Sequence, residues 1–189
     1  MVASPRAYLD LTLREWLGEL ARPDGAAGGG AALGFAVATG AAVLAMAARV
    51  SGSGGFVAQA DMLRSRTAAL AQDNADSYDA ALAIRSTSEG LKPEQRDWEI
   101  GRAFAQATEP PLEIARAGAD VAELAALLAE SGDPRVRADA LAAAALGAAA
   151  ARGAVALVAV NLTALEGDPR VVEAEQLAAA AERSATRVH

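Results

Sequence analysis

Residues 23–50 read PDGAAGGGAALGFAVATGAAVLAMAARV, and the fold turns on what this stretch is. From Gly25 to Ala48 no residue carries a charge, and Gly28, Gly29 and Gly30 stand together ahead of the long apolar run. A membrane span, a phosphate loop and the central helix of a soluble bundle all produce such a pattern. Length alone would suffice for a span. The run is mostly alanine and glycine, however, which gain little from lipid compared with Leu, Ile and Phe, and the charge flanking its start is Asp24 rather than a basic residue. A phosphate loop needs Lys and Ser/Thr directly after its last glycine. Here Ala31 and Ala32 follow, and no strand pattern precedes. A helix apolar on every side is otherwise a buried helix. One this long in a chain of 189 residues needs covering neighbours, and a second subunit is one source of them.

The composition supports the same reading. Hydrophobic residues make up 53% of the chain but aromatics only 4%, and alanine alone accounts for more than a quarter of all positions. Alanine is the best helix former, and β-branched runs are scarce. The expectation is an all-α, single-domain helical bundle over residues 1–189, with long buried Ala/Gly-rich helices that pair with those of a second copy. Small side chains let helix axes approach closely. The absence of cysteine excludes disulfides and thiolate metal sites, and the sole histidine is His189, so no histidine-based metal site or base is expected. Net charge is -7 with no basic cluster, which argues against a nucleic-acid surface. The N-terminal MVASPRAYLD lacks a basic-then-apolar leader pattern, so a cytoplasmic location without membrane attachment is the expectation.

Working outward from the opening stretch, Thr12 and Glu15 have capping-box spacing, and Leu13, Trp16, Leu17 and Leu20 follow at helical intervals to about Ala21. Trp16 reads as a core anchor. The glycine turn feeds a second helix from about Gly30 to Val50, which SGSGG at 51–55 stops. A third helix is expected over about Phe56 to Ser86 and a fourth over Glu94 to Thr108. Glu109-Pro110-Pro111 then kinks or restarts the chain into a fifth helix ending near Glu130. The motif Gly-Asp-Pro-Arg-Val occurs at 132–136 and again at 167–171, each time placing proline at a helix start. The sixth helix is expected over Arg135 to Ala164, and an amphipathic helix closes the chain.

Five segments, in this order and spacing, resemble one family: LTLREWLGELA, GGGAALGFAVATGAAVLAMAARV, DNADSYDAALA at 73–83, ATEPPLEIARAG at 107–118, and GDPRVRADALAAAALGAAAARGAVALVAVNL at 132–162. The family is the cyclodeaminase/cyclohydrolase family, which includes the C-terminal domain of formiminotransferase-cyclodeaminase and methenyltetrahydrofolate cyclohydrolases. The resemblance implies an all-helical homodimer with folate bound near the subunit interface. It also implies chemistry at the one-carbon bridge of tetrahydrofolate without metal or organic cofactor. A chain without a transferase partner favours hydrolysis of the methenyl bridge over cyclodeamination. Several positions depart from the family pattern. Its Pro-Gly-Gly-Gly-Ser is Ala27-Gly28-Gly29-Gly30-Ala31 here, and an aspartate is Asn74, with Asp73 and Asp76 beside it. The lysine-rich patch after the second helix is absent. The late Ser-Asp is Ala138-Asp139, and a late asparagine is Leu157, while Asn161-Leu162 are kept.

Without cysteine or a central histidine, proton transfer falls to carboxylates, or to Tyr8, Tyr78 or Lys92. Asp139 opens a helix that is nearly free of charge, where burial would raise its pKa. A first-turn role opposite the helix dipole is the plain alternative. Asp73, Asp76 and Asp79 read as a solvated face, from which Asp73 or Asp76 could take over from the missing aspartate. Asn74 and Tyr78, four apart, share a helix face that suits ligand contact or a core tyrosine bonded to the amide. Gly28, Gly29 and Gly30 either expose helix-start N–H groups to a polar ligand or simply permit close crossing. Arg49 is a dipole partner or a contact for an anionic folate tail. Asp139 and Asn161 point the same way but stand about 33 Å apart on one straight helix, so only an antiparallel dimer would bring them to one ligand. A catalytically silent relative acting as a binding or assembly module, and a membrane bundle, complete the readings.

Overall fold

The computed structural model describes residues 7–23, 27–162 and 167–187. The expected turn at 24–26, the stretch from Thr163 to Glu166 where the sixth helix was expected to finish, and His189 lie outside these residues. The described residues contain helices and no strands. The helices are α1 (Leu13–Leu20), α2 (Gly29–Val50), α3 (Gly54–Thr87), α4 (Pro93–Gln106), α5 (Glu109–Ser131), α6 (Arg137–Asn161) and α7 (Pro169–Thr186), with short 3-10 turns at Tyr8–Asp10, Ser88–Gly90 and Pro134–Val136.

Local chemistry sets these boundaries. At α1 the capping box forms in full: Thr12 Oγ1 accepts from Glu15 N–H at 3.2 Å, and Glu15 Oε2 accepts from Thr12 N–H at 2.8 Å. α2 ends at Val50 with Ser51 as its C-cap, and the chain reverses through Gly52, whose φ of +66° lies in the left-handed region that favours glycine. The Glu109-Pro110-Pro111 segment restarts the helix rather than kinking it, with proline in the first turn of α5. α6 begins two residues later than the sequence suggests, because Pro134–Val136 form a 3-10 turn first. Ser51 Oγ accepts from Asp133 N–H at 2.9 Å, tying the α2–α3 turn to the α5–α6 turn.

The core is made of small residues. α5 and α6 cross at Gly118 and Gly147. A Cβ on Gly118 would fall 2.7 Å from the Gly147 carbonyl oxygen, and one on Gly147 would fall 2.6 Å from that of Gly118. The two backbones therefore touch, an approach closed to any residue with a side chain. α2 lies antiparallel to α6, since Gly40 meets Ala143 and Leu146 near one end and Leu33 meets Gly153 near the other. The larger fully buried side chains, among them Val37, Leu44, Leu112, Ile114 and Val121, fill the space between α2, α5 and their neighbours. Trp16 is buried as expected, its ring 4.9 Å from that of Tyr8 and 4.7 Å from that of Phe35, which pins α1 onto α2.

The long apolar helices are not fully enclosed. In their most apolar windows 56% of α2 is buried, against 44% in the segment Pro134–Asn161, and both are long and apolar enough to cross a membrane. Their outward sides show Thr39, Met46, Ala149 and Val160.

Candidate functional site

Four helices converge at one end of the bundle. The N-terminus of α2, the C-terminal half of α3, the first turn of α5 and the C-terminus of α6 enclose a cleft of about 400 Å³. That volume is in the range of small-molecule sites. The glycine triplet forms one wall: Gly28 is the N-cap of α2, no side chain caps the helix, and Gly29 and Gly30 begin its first turn. The N–H groups of a first helical turn have no intrahelical acceptor and carry the positive end of the helix dipole.

Asn74 of α3 stands directly against this turn. A Cβ on Gly30 would coincide with the Asn74 amide, 2.2 Å from Nδ2 and 2.3 Å from Oδ1. Of the two readings of the glycines, close approach is what Gly30 permits, and what approaches is the Asn74 side chain lining the cleft. Tyr78, one turn further along α3, stacks edge-on against Phe104 with centroids 5.9 Å apart and keeps 40% of its surface open. Opposite, Asn161 is 9% exposed, and its Nδ2 donates to the Ala107 carbonyl at 3.0 Å. That bond fixes the amide plane and leaves the side-chain oxygen as the acceptor for whatever enters. Leu82, Pro111, Ala156, Leu157 and Val160 supply apolar lining.

The α4–α5 junction behind Asn161 is held a second time. Arg170 donates through Nη1 to the Ala105 carbonyl at 2.9 Å and to Glu109 Oε1 at 3.0 Å, while its Nη2 pairs with Asp168 Oδ2 at 2.9 Å. The Arg170 guanidinium holds the Asp168 carboxyl below its ordinary value.

The cleft gathers six of the residues read from the sequence, namely Gly28, Gly29, Gly30, Asn74, Tyr78 and Asn161. The structure places the other four elsewhere. Asp139 is half-buried in the first turn of α6, at the opposite end of that helix from Asn161. Arg49 lies in the last turn of α2 and pairs with Asp61 of α3. Asp73 is exposed, and Asp76 is exposed and accepts from Gln72 Nε2 at 2.9 Å. Within one chain none of these four lines the cleft: Asp139 and Arg49 lie at the far ends of their helices, and Asp73 and Asp76 flank Asn74 on the exposed face of α3. Asp79 does line it, although the sequence pattern suggested a solvated face; the signal was its position beside Tyr78 and five residues after Asn74. Burial raises the Tyr8 pKa, and the Asp76, Asp79 and Glu19 carboxylates raise it further, so this edge of α3 is electrically negative. Among the described residues no group of three or more His, Asp or Glu side chains is placed to hold a metal ion.

A wider hollow of about 540 Å³ runs between α6 and α7, but alanines dominate its lining and its Arg152 and Glu182 are paired with each other at 2.8 Å. Arg183 stands beside that pair, and the hollow offers neither a side-chain amide nor an aromatic ring.

Comparison with known proteins agrees with the fold. The family described as formiminotransferase-cyclodeaminase matches residues 12–181. The crystal structure of formiminotetrahydrofolate cyclodeaminase from Thermotoga maritima superposes with a TM-score of 0.85 at 23% identity, over 96% of each chain. No match is found among curated proteins.

Proposed function

From the chain's membership of the formiminotransferase-cyclodeaminase family, we propose that it is a folate enzyme acting on the one-carbon bridge of tetrahydrofolate, and that the glycine-turn cleft is where it acts. The reaction is ring closure of a formimino group with loss of ammonia, or hydrolysis of the 5,10-methenyl bridge. The observation that carries the reading is the cleft's composition: an uncapped helix start, two side-chain amides and an aromatic ring on apolar walls. A pterin needs this combination. Its fused ring is flat and stacks on an aromatic such as Tyr78, and its edge presents alternating donors and acceptors that amides and backbone N–H groups can match. Neither reaction needs redox chemistry, and proton transfer with orientation suffices.

The half-exposed apolar faces of α2 and α6 support a homodimer, since contiguous apolar surface of this kind marks an interaction site. In an antiparallel pairing of α6 the second copy would carry its Asp139 toward the cleft of the first. A soluble cytoplasmic dimer with folate as its small-molecule partner, without metal, organic cofactor, nucleic acid or membrane, is the full reading.

The test is spectrophotometric, because methenyltetrahydrofolate absorbs differently from its open-chain relatives. Purified protein is expected to consume methenyltetrahydrofolate, or to form it from 5-formiminotetrahydrofolate, well above the uncatalysed rate. Size-exclusion chromatography with light scattering is expected to give twice the chain mass of 19.0 kDa. Gly30→Ala is expected to weaken folate binding at least tenfold, because its methyl group and the Asn74 amide compete for the same space. A wild-type protein no faster than buffer with both substrates would leave the silent binding module as the better description.

A further inference from the structure

We propose that Asp79 is the proton-transfer group of this cleft. The inference rests on the folate reading above and goes beyond it by naming the catalytic acid–base. Two ionisable side chains line the cleft among the described residues, Tyr78 and Asp79. Carboxylates are common general bases, whereas a phenol must first give up its own proton to act as one. The cleft therefore offers one carboxylate from its own chain, and it stands beside the aromatic ring and one and a half turns from Asn74, where an amide occupies the place of a potential acid.

Most other carboxylates of the molecule are engaged. Asp61 is held by Arg49, Glu113 by Arg116, Asp133 by Arg135, Asp168 by Arg170, Glu182 by Arg152 and Glu130 by Arg187. Asp79 has no ion pair or hydrogen bond to the described residues, so its oxygens remain free for a ligand. It is exposed at the rim of the cleft, where water reaches it.

In hydrolysis of the methenyl bridge, a water oxygen bonds to the bridge carbon and a water proton passes to the Asp79 carboxylate. The bond from that carbon to N5 then breaks, and its electron pair stays on the nitrogen. N5 takes up the proton from Asp79. The hydroxyl proton leaves to solvent as the carbonyl forms, so cationic substrate and water give neutral formyl product and one released proton. Closure of a protonated formimino group uses the same shuttle. N10 bonds to the formimino carbon and its proton moves to Asp79. Asp79 returns that proton to the amino group, which leaves as ammonia with the bonding pair. In both reactions the Asp79 carboxylate also places a negative charge at the rim of a cleft that takes a cationic one-carbon unit.

The experiment compares wild type, Asp79→Asn and Asp79→Glu with methenyltetrahydrofolate and with 5-formiminotetrahydrofolate, together with their thermal melts. The expected result is a loss of kcat of roughly a hundredfold or more in Asp79→Asn with KM changed less than about threefold. Partial recovery in Asp79→Glu and unchanged melting temperatures complete the expectation. Asp79→Asn turning over within twofold of wild type would overturn the assignment while leaving the folate reading intact. Equal loss in both variants accompanied by lower melting temperatures would show a structural role and overturn it as well. Wild-type protein inactive with both substrates would remove the folate reading and this inference together, and that result appears before any variant is made.

Discussion

The two Gly-Asp-Pro-Arg-Val turns share a sequence and a local geometry, and only in the second does the arginine side chain reach beyond its own turn. In the first, Asp133 Oδ1 accepts from Arg135 N–H at 2.9 Å; in the second, Asp168 Oδ1 accepts from Arg170 N–H at 3.0 Å. Each aspartate also pairs with the guanidinium two residues on, at 2.7 Å and 2.9 Å respectively. Beyond that the turns diverge. The Arg135 side chain is 78% exposed and touches only its own turn, while that of Arg170 is 23% exposed and spans from α7 to the α4–α5 junction. The second turn is thus both a helix start and a strut behind the cleft. Five residues encode the turn; what the arginine grips is decided by the helix that happens to stand opposite.

Substitutions can break this comparison. The largest effect is expected from Arg170→Ala, which removes the bonds to Ala105 and Glu109 and leaves Asp168 unpaired. A loss of about 2 kcal/mol, or roughly 4–8 °C in melting temperature, is expected by calorimetry. A raised KM should accompany it, since the carbonyl of Ala107 that orients Asn161 belongs to the same junction. Asp168→Ala should cost about 1 kcal/mol as a lost N-cap. The pH dependence of that cost follows from the lowered Asp168 pKa. A carboxyl whose folded pKa lies below its unfolded one stabilises the fold above the ordinary value of 3.8 and loses that contribution as pH falls through the lowered value. Wild type and Asp168→Ala should therefore differ by a constant melting interval above about pH 5, and the interval should shrink in more acid solution. The smallest effect is expected from Arg135→Ala, with a melting temperature indistinguishable from wild type, because the pair it breaks is solvated. Equal destabilisation by Arg135→Ala and Arg170→Ala would erase the distinction between the two turns.

What could be read in advance follows the same division between local and tertiary. The Thr12–Glu15 box, the restart of the chain at Glu109 and the prolines at 134 and 169 are written in adjacent residues, and the helices begin within two residues of where these place them. Trp16 was legible as an anchor because a large apolar ring on an amphipathic helix has few other uses. Asn74, Tyr78 and Asn161 were legible as polar or aromatic groups that needed a partner. Their meeting place was not. Helical periodicity says which residues share a face, so it joined Asp139 to Asn161, and only the crossing of α2, α3, α5 and α6 shows that the cleft lies at one end of α6 and Asp139 at the other. Asp79 was obscured by Asp73 and Asp76, two exposed acids on the same helix, which made an acidic stripe look uniformly solvated.

The contact between Gly118 and Gly147 has a mechanical consequence for the cleft. Two bare backbones in contact fix the spacing of α5 and α6 without any side chain able to yield. Asn161 lies 14 residues beyond that fulcrum, a lever arm of about 21 Å. A wedge that tilted α6 by only about 5° would swing its tip by nearly 2 Å by that lever arm, more than a hydrogen bond tolerates. The alignment of the distant amide is therefore set at a crossing that contains no functional group at all.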